Sequence, residues 1–187
     1  EIELITKSCK ILASVKEKLR QAVRPGISLK DLDSIAYNEI INSGAEPSFL
    51  GYKGFKGTIC ASVNEELIHG IPTNRILKDG DLLSIDVGAI YQGYHSDSAF
   101  TISVGEETEE NKMLIEVAKN AFLDGLKAIK IGARIGDISY AIGKYIKEQK
   151  LYTPKEFCGH GIGKKLHEDP YVFNEGTPGT GEVLKDG

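Results

Sequence analysis

The sequence holds no tryptophan, one methionine, three cysteines and four histidines in 187 residues, and each scarcity removes a class of protein. Cys9, Cys60 and Cys158 are odd in number and widely spaced, with no C-x-x-C pair, so neither a disulfide framework nor a structural zinc knuckle is indicated and reduced thiols are expected. No run approaches the ~18 apolar residues of a membrane-spanning helix. The opening Glu1-Ile2-Glu3-Leu4 has the wrong charge for a secretory leader, and no apolar segment follows it. The expectation is a cytoplasmic protein. Positive charge is in deficit, 23 Lys+Arg against 27 Asp+Glu for a net charge of -4. With no basic stripe to neutralise phosphates, nucleic acid is not an expected partner.

What remains is ordinary for a globular chain: 41% hydrophobic and 27% charged residues, and length enough for one sizeable core. Leu4, Ile5, Ile11, Leu12, Val15 and Leu19 recur at helical spacing and predict a helix from Ile2 to Val23, ended by Arg24-Pro25-Gly26. Ser28, with Asp31 three residues on, predicts the capped start of a second helix that closes near Asn42-Ser43-Gly44. Gly, aromatic and β-branched residues from Ser48 to Val63 predict strand and loop. Asp81–Tyr91 and Tyr94–Val104 flank Gln92-Gly93 and predict a hairpin with a two-residue turn. A second helix pair follows at Glu109–Lys130 and Ile135–Gln149. Residues 150–187 are rich in Gly and Pro, with short apolar pieces near Phe157, Ile162 and Val172.

The order repeats. Gly26-x4-Asp31-Leu32 returns as Gly132-x4-Asp137-Ile138, 106 residues on, and Leu77-Lys78-Asp79-Gly80 returns letter for letter as Leu184-Lys185-Asp186-Gly187, 107 residues on. Two matches at nearly one offset, each in the same place relative to a helix pair, predict an internally duplicated α/β chain. It reads as a single domain over 1–187, with a first half-repeat of about 1–105 and a second, shorter one of about 106–187.

A two-residue turn at Gln92-Gly93 sets Tyr91 opposite Tyr94, hence Asp97 opposite Gly88, with Asp86 two residues from Gly88 on the same face. The carboxylates become diagonal neighbours, roughly 7–8 Å apart at the backbone. Two such charges repel unless a cation or a shared proton intervenes, and one or two divalent metals would resolve the repulsion. One extra loop residue would send one Asp to the other face. A solvated strand face is the competing reading of the same residues. His95 shares the face of Asp97. The other histidines lie beside glycine or an acidic cluster: His160 in Gly159-His160-Gly161-Ile162-Gly163, His167 before Glu168-Asp169-Pro170, and His69 before Gly70-Ile71-Pro72.

Together, Cys60-Ala61-Ser62-Val63-Asn64-Glu65-Glu66-Leu67-Ile68-His69-Gly70-Ile71-Pro72, Asp81-Leu82-Leu83-Ser84-Ile85-Asp86-Val87-Gly88, Asp97-Ser98-Ala99-Phe100-Thr101, Gly159–Gly163 and Leu166-His167-Glu168-Asp169-Pro170 closely resemble the type I methionine aminopeptidases of bacteria. The resemblance spans essentially the whole chain. It implies the pita-bread fold, duplicated helix pairs around a curved antiparallel sheet, and two divalent metal ions, with Co, Mn, Fe and Zn all compatible with O/N ligands. It places Asp86, Asp97 and His160 among the metal ligands. It sets His69 and His167 beside the scissile amide and the developing oxyanion, and lines a methionine pocket with Phe49, Tyr52, Phe55 and Cys60, where ring edges suit a thioether. Leu166 stands where many relatives carry an aromatic residue, which implies a wider pocket. The implied substrate is the N-terminal methionine of nascent polypeptides, met by a monomer in transient association with the ribosome.

The family's two remaining ligands are glutamates on strands beyond the second Leu-Lys-x-Gly. The chain as given is therefore expected to lack its C-terminal part and to be a poor hydrolase by itself. An Xaa-Pro peptidase shares the fold, the two aspartates and the Gly-His-Gly motif, but the stretch from Cys60 to Pro72 points away from it. A non-catalytic peptide-binding module on the same fold is the alternative from another class. Retention of Asp86, Asp97, His160, His69 and His167 speaks against it.

Overall fold

A computed structural model describes residues 1–186; Gly187, which closes the second Leu-Lys-Asp-Gly, lies outside them. Helix α1 (Ile2–Ala22) buries the stripe Ile11, Leu12, Val15 and Leu19, the spacing that puts every third or fourth side chain on one face. Helix α2 (Leu29–Asn42) opens on the expected reciprocal cap. The Asp31 amide donates to Ser28 Oγ at 3.0 Å and the Ser28 amide to Asp31 Oδ2 at 3.3 Å. Next come β1 (Glu46–Pro47), a 3₁₀ turn at Tyr52–Gly54, β2 (Ile59–Val63), β3 (Leu82–Tyr91), β4 (Tyr94–Ser103), α3 (Glu109–Lys127), α4 (Ile135–Glu148), β5 (Cys158–Gly161) and β6 (Glu168–Phe173). Ile162, in one of the short apolar pieces, lies in the β5–β6 connection. The three cysteines are free thiols.

The chain forms two compact units. The first comprises residues 1–111 with 162–166, the second residues 112–161 with those from 167 onward among the described residues. In the first, β3 is the central strand of an antiparallel sheet, paired along its whole length with β4 on one edge and with β2 and β1 on the other. Alternation along β3 sends Leu83, Ile85, Val87 and Ala89 into the core with the apolar faces of α1 and α2, and leaves Ser84, Asp86 and Gly88 for the opposite face. The Gln92–Gly93 turn sets Tyr91 against Tyr94 and Gly88 against Asp97, with φ of 49° and 82° at its two residues, the paired positive values that a tight hairpin turn requires.

In the second unit, β5 and β6 form a two-stranded antiparallel sheet packed with α4. The duplication is visible in main-chain hydrogen bonds. In the first unit Gly26, Leu29 and Lys30 donate to Leu77, Arg75 and Thr73, and Leu77 returns a bond to Ile27. In the second, Gly132, Ile135 and Gly136 donate to Leu184, Glu182 and Thr180, and Leu184 returns a bond to Ala133. The isolated bridges Ser28–Ile76 and Arg134–Val183 belong to the same frame. Among the described residues no helix is long and apolar enough to cross a membrane.

Candidate metal centre and substrate pocket

The hairpin register brings two carboxylates together. Asp86 pairs with Ala99 and Asp97 with Gly88, so both acids project from the face away from α1, and their side chains share a hydrogen bond. Burial, the neighbouring Asp86 charge and that hydrogen bond raise the Asp97 carboxyl to about 8, against a partial offset from the Ser98 backbone N–H, which donates to it. Without a cation the pair therefore holds a proton at neutral pH.

Gly88, directly across from Asp97, has no room for a side chain. A Cβ there would stand 2.7 Å from Ser48 Cβ, 2.8 Å from Phe49 Cε1 and 3.0 Å from the Ser96 carbonyl oxygen, so the site and the residues beside it are built on a bare backbone. On β2, Cys60 pairs with Asp86. Burial first, then the Asp86 and Asp97 charges, push its thiol up to about 12. In the metal-free protein the thiol is therefore un-ionised at neutral pH and its contribution is apolar. Phe49, Cys60 and Leu166 form a buried cluster separate from the main core, with Phe55 and Ile162 packed against it. Of the four residues expected to line a methionine pocket, three are in this cluster; Tyr52 is exposed, with Lys53 Nζ 5.5 Å from its ring centroid. Ile162 and Leu166 are the other members of the cluster. Ile162 carries no sequence signal beyond its apolar character, because only the path of the β5–β6 connection brings it there.

His95 lies on the carboxylate face and is held at Nδ1 by Ser48 Oγ at 2.6 Å, while its main-chain N–H donates to the Gly163 carbonyl at 2.8 Å. His69 sits in the loop after β2 at a φ of 58°. That loop is fastened to the strand by the Ala61 N–H to the Gly70 carbonyl at 2.8 Å and by the Gly70 N–H to Ser62 Oγ at 3.1 Å. A Cβ on Gly70 would come within 2.2 Å of the Ala61 oxygen, so only glycine lets the loop return this close and leave His69 exposed beside the strand.

In the second unit, His160 on β5 and His167 just before β6 have ring centroids 4.3 Å apart at a 48° tilt. His160 Nδ1 lies 2.9 Å from the Gly161 carbonyl. Because a carbonyl only accepts, Nδ1 carries the proton and Nε2 is the basic nitrogen, the tautomer that a metal-ligating histidine uses.

Among the described residues no three His, Cys, Asp or Glu side chains gather at one point. The paired acids fit a hard or borderline divalent cation on their chemistry: two oxygen donors held close enough to need a shared proton, which a cation would replace. The cavity of about 400 Å³ beside α4, lined by Tyr140, Lys144, Lys147 and Glu175, includes none of the expected site residues.

Residues 3–187 match metallopeptidase family M24. Methionine aminopeptidase 1 of Bacillus subtilis is 46% identical over the whole chain, which covers 75% of that protein. The methionine aminopeptidase of Borreliella burgdorferi is 48% identical over 95% of the chain and 71% of its own length. Among solved structures, the Thermotoga maritima methionine aminopeptidase superposes with a TM-score of 0.97 at 39% identity, over all of this chain and 76% of that one. A prolidase from Pyrococcus furiosus shares the fold at a TM-score of 0.86 and 26% identity, with 53% of its chain covered. The fold is thus the pita-bread arrangement common to these peptidases, divalent metal cofactors are implied, and the chain belongs to metallopeptidase family M24.

Proposed function

We propose that this chain belongs to a cytoplasmic methionine aminopeptidase that hydrolyses the peptide bond after the N-terminal methionine of nascent polypeptides, acting as a monomer in transient association with the ribosome, and that by itself it is a poor hydrolase. The observation that carries the reading is the Asp86–Asp97 pair, two acids sharing one hydrogen bond on a face that the hairpin register dictates. Similarity to methionine aminopeptidases over the full chain supports the substrate class. The similarity to prolidase extends over a smaller part of that protein at lower identity, so the Xaa-Pro reading is not favoured.

In this reading Asp86, Asp97 and His160 hold two divalent ions drawn from Co, Mn, Fe and Zn, which when bound acidify water and polarise the scissile carbonyl. The chain's own residues do the rest. Phe49, Phe55 and Cys60, with Tyr52 at the exposed margin, receive the methionine side chain, and the un-ionised Cys60 thiol keeps that wall apolar. His69 and His167 orient the scissile amide and donate to charge developing on its oxygen. Asp97, relieved of its proton by the cation, remains ionised.

The test is calorimetric titration of the chain with Mn²⁺ or Co²⁺, alongside release of methionine from a Met-Ala-Ser peptide followed by mass spectrometry, in which turnover is expected to be weak and metal-dependent. Chelation and Asp97→Ala should each abolish both signals. A chain that binds no divalent ion, and in which Asp97→Ala changes nothing, is not the enzyme proposed.

A further inference from the structure

The site described so far uses one face of the β3–β4 hairpin. The other face, against α1, carries a cation whose place packing alone does not account for. Lys16 lies on α1 among the buried Leu12, Val15 and Leu19 and is half-buried itself. An ammonium is costly there unless its donors find acceptors. It finds them on β4, donating to Ser98 Oγ at 2.5 Å and to the Ala99 carbonyl at 3.3 Å. Those two residues are the backing of the carboxylate pair. Ala99 is the cross-strand partner of Asp86, and Ser98 is the residue whose main-chain N–H donates to the Asp97 carboxyl. Ser98 thus takes Lys16 with its side chain and serves Asp97 with its backbone.

We propose that Lys16 is a positioning residue whose fixed charge, anchored on Ser98 and Ala99, weakens and so sets the affinity of the Asp86–Asp97 pair for a divalent cation. The inference rests on the reading of that pair as a metal site. With strands about 4.8 Å apart, a charge seated on Ser98 and Ala99 stands within about 10 Å of both carboxylates. A positive charge there lowers the free energy of the ionised pair and raises that of an incoming divalent ion. The attraction is felt in the other direction too: the Asp86 charge favours the protonated lysine, against burial and the nearby Arg20 guanidinium, which together hold its pKa below the usual lysine value. Arg20, one turn further along α1, stacks 4.1 Å over the Phe100 ring, so a second cation continues the row along β4. A lysine that served only to fasten α1 to β4 would affect stability and leave the cation site alone. A charge acting across the sheet leaves a mark that salt erases.

The experiment is isothermal titration of the full chain with Mn²⁺ at pH 7.5, in low salt and in 0.5 M salt, for the parent, K16Q, K16M and K16R. K16Q and K16M remove the charge, one keeping a polar end and the other an apolar stem, so one can stand if the other does not fold. The expected result at low salt is a dissociation constant about tenfold tighter for the neutral variants, a difference that shrinks at high salt, and a K16R value within about twofold of the parent. Unchanged or weaker binding in the neutral variants overturns the proposal. So does a K16R value that moves as far as K16Q, or a K16Q effect that salt does not diminish. A parent silent to Mn²⁺ is a different failure, because it removes the metal-site reading itself.

Discussion

Replacing Asp97 by asparagine should stabilise the metal-free protein. An ordinary aspartate has lost its proton by pH 7, whereas Asp97 keeps one to about 8 from a starting value of 3.8, because it is buried against Asp86. Between those values the folded state binds more protons than the unfolded one, so its stability falls as pH rises from about 4 towards 8. At pH 7 the interval is about three pH units, and at about 1.4 kcal/mol each the penalty is about 4 kcal/mol at most. Asparagine removes the titration and can still donate an N–H to Asp86. Urea unfolding in EDTA should place Asp97→Asn above the parent at pH 7–8, and the gap should close towards pH 4. Saturating Mn²⁺ should reverse the order by stabilising the parent alone. An asparagine variant less stable than the parent in EDTA at pH 8 would refute the reasoning, because it would mean that the folded state does not strain to hold these two acids together.

Three further outcomes follow from the same geometry. Gly88→Ala forces its Cβ against Ser48, Phe49 and the Ser96 carbonyl; overpacking of this kind costs about 1–3 kcal/mol, read as a thermal midpoint lowered by about 2–4 °C per kcal/mol. Ser28→Ala removes the acceptor of the Asp31 amide at the start of α2 and should cost about 1 kcal/mol, checked by urea unfolding at neutral pH. Acid unfolding of the whole chain should begin below the ordinary carboxylate range. Asp31, held by the Ser28 hydroxyl, and Asp137, held by the Arg134 backbone N–H, both lie below 3.8 when folded, so their stabilisation is complete above that value and is lost as pH falls through the depressed ones. Asn at both positions should abolish that part of the acid transition in a pH-jump fluorescence titration.

The hairpin and its facing acids were legible because a strand's side chains alternate with a period of two, and a Gln-Gly turn fixes where counting starts. The capped helix at Ser28 was legible for a similar reason: its chemistry is local, with donor and acceptor three residues apart. The residues that escaped are those joined only by the fold. Lys16 meets Ser98 across 82 residues of sequence, and Ser48 meets His95 across 47; no period or motif announces either. Ile162 stands out in the sequence only as an apolar residue in a Gly-rich stretch, and its place is decided by the cluster that Phe49 and Cys60 already form. Tyr52, grouped with the other pocket aromatics by position, is drawn outward by a short turn in which Lys53 has a φ of 48°.

The frame shared by the two units consists of amide and carbonyl groups alone. Such bonds are indifferent to which side chain a residue carries, so a copied frame can keep its shape while everything hung on it changes. In the first copy the pair of acids lies on the hairpin that follows the frame's closing segment; in the second the two imidazoles lie ahead of that segment, at a different place in the repeat. A backbone frame of this kind can therefore carry different chemistry at different points along its length without a second scaffold.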